Sequence, residues 1–149
     1  DDAVAWEFPN EALVQGIRAD FIRSDQIGMS AAAVESIPLW MFNIQPAGIE
    51  LSGDVDLDFF IPKNPLGFWL LKQDAEYVVI LGVDKNSLTI VPIGAGVVEG
   101  GRVKASLELE QQRLDYLGYA SVSYETEAVL KQYLNGELSW FQVLARLAP

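Results

Sequence analysis

The sequence predicts an α+β fold: a central antiparallel β-meander of about five to seven strands, with an N-terminal helix and C-terminal helices packed on it. Three observations lead there. Helical periodicity is confined to the two ends of the chain. The middle consists of short apolar or alternating runs separated by turn signals. Helices and strands do not alternate, as they would around a parallel sheet. With 149 residues, the chain reads as one globular domain spanning residues 1–149.

The elements follow in order. "FPNEALVQGIRADFIRSDQIG" reads as the first helix. Asn10 can cap it, and Leu13, Val14, Ile17 and Phe21 recur at helical spacing. Gly28 is a fitting stop. "MSAAAVESIP" is ambiguous and ends before Pro38. "LWMFNI" is a short apolar run, followed by the brief "GIEL" and the turn signal "SGD". "EYVVILGV" is apolar on both faces, the mark of a central strand covered on each side. "DKNS" supplies a hairpin turn, "LTIVPI" returns, and "GAGVVEGG" reads as a glycine-rich connection. In "RVKASLELE", Val103, Ala105, Leu107 and Leu109 face in, while Arg102, Lys104, Ser106, Glu108 and Glu110 face out. "QQRLDYLGYA" gives no clear signal. "YETEAVLKQYL" is a helix ended at Gly136. "SWFQ" is a capping box, Ser139 with Gln142, for a last helix that buries Trp140, Val143, Leu144 and Leu147.

The stretch "DVDLDFFIPKNPLGFWLL" carries the main functional question. As a strand it puts Val55, Leu57, Phe59 and Ile61 on one face and Asp54, Asp56, Asp58 and Phe60 on the other. If it pairs with "FWLLKQ" across "PKNPLG", Ile61 opposes Trp69, Phe60 opposes Leu70, Asp58 opposes Lys72 and Asp56 opposes Asp74. Phe68 then lies on the same side near the hairpin tip. The polar face therefore becomes apolar toward its end. Either a terminal helix covers that patch, or it is an aromatic patch for a partner. The acids lack the glycine and distal Glu of a calcium loop, so a solvated strand face accounts for them better than a metal or catalytic site.

Composition excludes much chemistry. There is no histidine and no cysteine. Ser-His-Asp and Cys-His nucleophiles, the usual zinc sites and histidine bases are therefore impossible. Carboxylate chemistry, Lys or Tyr chemistry and hard cations on oxygen ligands survive. Ten basic against 21 acidic residues give a net charge of −11, which argues against nucleic acid and against anionic lipid. No run is long and apolar enough to suggest a membrane span. The start "DDAVAW" reads as a mature form, an excised domain or a trimmed chain. "GAG" at Gly94–Gly96 fails as a dinucleotide fingerprint, because an alternating strand follows it instead of a helix. No Ser-x-x-Lys pattern supports a serine nucleophile.

These readings converge on a non-enzymatic acidic protein-binding module without a cofactor. Phe60, Phe68 and Leu70, rimmed by Asp54, Asp56 and Asp58, form its candidate partner-binding surface. The partner is a protein of basic character, and a homodimer is among the arrangements allowed. The alternatives are a small-ligand-binding or carboxylate-based enzymatic domain, with Glu76 or Asp58 at a pocket mouth, and a structural piece of a larger assembly. The compartment is left open between the cytoplasm and export as a mature chain. In size, acidity and outline the chain resembles secretion chaperones and toxin-neutralising immunity proteins. That likeness is one of shape and charge, and no motif carries it.

Overall fold

Strand residues dominate the described chain. The computed structural model describes residues 4–7, 14–15, 29, 41–43, 48–61, 74–84, 86–87 and 89–149. They form β1 (Val4–Glu7), β2 (Val14–Gln15), β3 (Met41–Asn43), β4 (Ile49–Phe60), β5 (Tyr77–Asp84), β6 (Thr89–Glu99), β7 (Arg102–Leu114), β8 (Tyr116–Ser121), α1 (Tyr124–Leu134) and α2 (Trp140–Leu147). One sheet of eight strands runs in the order β1-β4-β7-β6-β5-β8-β3-β2. Its pairings are antiparallel except for β1, which lies parallel to β4. The architecture is thus mostly antiparallel sheet with two C-terminal helices. No helix among the described residues is long and apolar enough to cross a membrane.

The alternating strands behave as their sequences require. Val55, Leu57 and Phe59 of β4 are buried on one face, and so are Val103, Ala105, Leu107 and Leu109 of β7. β5 runs between β6 and β8 and is buried on both faces. Each fully buried Leu or Ile contributes about 1.5–3 kcal/mol by leaving water.

Three expectations change. First, Gly94–Glu99 are not a connection but the second half of β6, and the β6–β7 turn is only Gly100–Gly101. Both turn glycines have positive φ, 57° and 78°, which favours glycine in a tight hairpin. Gly94 must be glycine for another reason: an added Cβ would stand 2.4 Å from the Ser106 carbonyl oxygen. Second, Val55–Asp58 of β4 are not open to the hairpin partner expected after "PKNPLG", whose residues 68–73 lie outside the described ones. Both edges of that stretch of β4 are occupied, by β1 and β7. Asp58 opposes Lys104 and Asp56 opposes Ser106, while Asp74 accepts a hydrogen bond from the Tyr124 hydroxyl. Third, β4 adjoins β7 and β8 adjoins β5, so the strands do not follow one another as a simple meander. The predicted N-terminal helix lies outside the described residues except at Val14–Gln15, which pair with β3 as a strand.

The sheet folds over on itself. Three strands separate β4 from β8 in the sheet, which would hold them about 19 Å apart if it were flat. Yet the Phe59 and Tyr119 rings meet at 5.9 Å between centroids. The inner face is therefore a closed apolar core, drawing residues from β4 through β8. The register shifts where β5 meets β6, between Ile80 and Leu81, an irregularity of the kind that increases local twist. The outer face over β5, β6 and β8 is covered by α1 and α2, through Leu130, Tyr133, Trp140, Val143 and Leu147. Ser123 caps α1, and Ser139 with Gln142 forms the capping box of α2. The outer face over β4 and β7 carries the charged strip.

Candidate functional site

The site is built on the outward positions of β4 and β7. Their register sets four successive cross-strand pairs: Phe60 with Arg102, Asp58 with Lys104, Asp56 with Ser106, and Asp54 with Glu108. At the first end the charges are neutralised. Arg102 binds Asp58 at 2.8 Å and lies over the Phe60 ring, 4.3 Å from its centroid. Next, the Ser106 hydroxyl donates to Asp56 at 3.1 Å. At the far end two acids face each other directly, which is unfavourable for a cross-strand pair. Negative charge therefore builds up along the strip from Asp58 toward Asp54 and Glu108.

The helices border this acidic end. The Trp140 backbone N–H donates to Glu108 at 3.0 Å, and its indole N–H donates to the Pro92 carbonyl at 3.1 Å. Trp140 meets Tyr133 edge-on at 5.0 Å, and the Tyr133 hydroxyl donates to the Ser106 carbonyl at 3.0 Å. Burial pushes the Tyr133 phenol well above its ordinary pKa, and the negative fields of Glu108, Asp54 and Asp56 push it further the same way. These bonds fix the start of α2 beside the strip. Phe141, the next residue, is 79 % exposed.

Between these parts runs a groove of about 480 Å³, bordered by Asp54, Glu108, Trp140, Phe141, Leu144 and Pro92. Smaller hollows of about 280 and 320 Å³ continue it along Asp56 toward Lys104. One side of this trough is acidic and the other is aromatic and aliphatic. It can hold a cation beside an apolar group.

A second charged cluster serves the fold. Arg113 binds Asp84 at 2.7 Å and Asp115 at 2.6 Å, tying the β5–β6 turn to the β7–β8 corner. Partial desolvation raises the Asp84 pKa, but the Asn86 backbone N–H, Arg113 and Ser87 together outweigh it and hold the carboxyl below its ordinary value. Among the described residues no group of carboxylates is arranged to hold a metal ion.

The sequence-predicted residues are thus partly brought together. Asp54 and Asp56 are exposed on one face, with Asp58 and Phe60 half-buried at its end. Phe68 and Leu70 lie outside the described residues. Glu76 is exposed ahead of β5 and is not among the residues lining the groove. Phe141, Glu108 and Trp140 were not foreseen as site residues. The signal for Phe141 was an aromatic lying off the apolar stripe of a well-capped helix. None of the protein-family models, curated proteins or solved structures compared with this chain matches it.

Proposed function

We propose that the chain is an acidic protein-binding module that recognises a basic, partly apolar partner surface along the β4–β7 strip. The observation that carries this reading is the exposed Phe141 ring beside the like-charged pair Asp54 and Glu108. An exposed aromatic costs water contact, and facing acids repel each other, so each is unfavourable in the free chain. A partner supplying a cation and an apolar group relieves both. Asp56 extends the acidic surface, and Phe60 with Asp58 forms its far end. Aromatic anchors dominate binding energy, while exposed charges steer the encounter and set its salt dependence.

The test is affinity capture from the source cell's lysate at low and moderate salt, with the captured protein titrated afterwards. The double change Asp54→Asn and Asp56→Asn is expected to weaken its affinity and flatten the salt dependence. The melting temperature should not fall, because both side chains are exposed. Unchanged affinity in that variant would take the acidic strip out of the function.

A further inference from the structure

We infer that the occupant of this trough is a cationic amphipathic α-helix of a protein partner, laid over the outer face of β4 and β7 beside α2. The inference rests on the partner-binding reading above and names the form of the partner. Three features select a helix.

The first is backbone hydrogen bonding. From Val55 to Asp58 β4 is paired on one side with β1 and on the other with β7, and Arg102–Leu107 of β7 pair in turn with β6. Over that stretch of the floor the strands offer no free edge. An extended segment lying on it would leave its own N–H and C=O groups without partners wherever it displaced water. A helix satisfies its backbone internally. The second is the layer already present. α1 and α2 cover the outer face over β5, β6 and β8, and their border is the wall formed by Tyr133, Trp140 and Phe141. A third helix at the usual interaxial distance of about 8–10 Å would continue that layer. Its floor, from Gly53 to Asp58, is about 17 Å long at ordinary strand rise, which matches about eleven helical residues.

The third is charge order. Asp54 and Asp56 stand two residues apart on one face of β4, about 7 Å, close to one helical turn of about 5.4 Å. Two cations at i and i+4 on a helix can therefore each meet an acid. The apolar groups Phe141, Leu144 and Pro92 border the same end, so the helix carries an apolar residue on the adjoining stripe. Lys104, exposed on the strip opposite Asp58, disfavours further positive charge at the other end. The partner's cations are thus concentrated over Asp54 and Glu108.

The test uses a fluorescently labelled, amidated Leu/Lys peptide of about 15 residues, patterned as an amphipathic helix. A scrambled peptide of the same composition is the control. The wild-type chain is expected to bind the patterned peptide more tightly and to raise its helicity by circular dichroism. Phe141→Ser should weaken binding by at least about tenfold, and Asp54→Asn with Asp56→Asn should weaken it and reduce the salt dependence. Equal binding of the scrambled peptide, or binding without helix formation, overturns the helical occupant. The partner-binding reading survives that result if a captured lysate protein still depends on Phe141 and Asp54. It falls as well if no cationic ligand, peptide or captured, distinguishes the wild type from those variants.

Discussion

Gln111 is the one non-glycine residue among those described with a left-handed backbone, at φ 50°. It sits in a bulge, where β7 carries two residues, Glu110 and Gln111, between the partners of Gly53 and Leu51. The extra residue flips the alternation of the strand. Leu109 faces the core from an odd position, and Leu114 returns to the core from an even one. Glu110 stays exposed and borders the groove beside Glu108. A left-handed non-glycine residue costs about 1–2 kcal/mol, so Gln111→Gly is expected to raise the unfolding free energy by up to about 1 kcal/mol after glycine's own entropy is discounted, seen as a higher denaturation midpoint. A lowered midpoint would mean that the Gln111 side chain makes a contact worth more than the strain. The outward set of β4 and β7 was readable from alternation alone. The bulge was not, since "EQQRL" contains no glycine to mark it. Phe141 was likewise hidden, because a local pattern shows which residues can pack together but not which are left uncovered.

At the scale of elements, periodicity and capping predicted β5, β7, α1 and α2 well. These are the elements whose signals are local. β6 is one strand, although its glycines read as a loop that would end it early. They are glycines because β7 approaches closely: Gly94 meets Leu107 and Ser106, and Gly96 meets Val103. Such a contact is tertiary and leaves no periodic trace. The pairing of β4 with β7 joins residues far apart in the chain, so the nearer hairpin partner looked better on charge matching. The start of α2 is the element on which the site depends. Its capping box places Ser139 Oγ to accept from the Gln142 backbone N–H at 3.2 Å, and Gln142 Oε1 to accept from the Ser139 backbone N–H at 2.9 Å. Ser139→Ala is expected to cost about 1 kcal/mol, seen as a lower thermal midpoint. Because Trp140 and Phe141 follow directly, partner affinity should fall with it. A loss of stability with unchanged affinity would separate α2 from the binding surface.

For the whole molecule, two charge systems do different work. The Arg113 cluster holds two loops of the folded sheet together. Asp84 has a folded pKa below its ordinary value of 3.8. Its contribution to stability is therefore fully present above that value and is lost as pH falls through the lower, folded one. The stability difference between the wild type and Asp84→Asn should be constant near neutrality and should shrink only below about pH 4. A difference that shrinks already near pH 6 would assign the effect to another group. The acidic strip, by contrast, is exposed, so its work is long-range and screened by salt, with a reach of about 8–10 Å under physiological conditions. With a net charge of −11, acidity alone does not set the strip apart from the rest of the molecule. What distinguishes the strip is the aromatic groove beside it.

The measurement closest to the central claim is the affinity of the captured partner for the wild type and for Phe141→Ser, with both melting temperatures recorded. The ring is 79 % exposed, so the melting temperatures should agree. Affinity should fall by about thirtyfold, the loss typical of a central aromatic anchor worth about 2 kcal/mol. Equal affinities would contradict the account and move the binding surface away from α2.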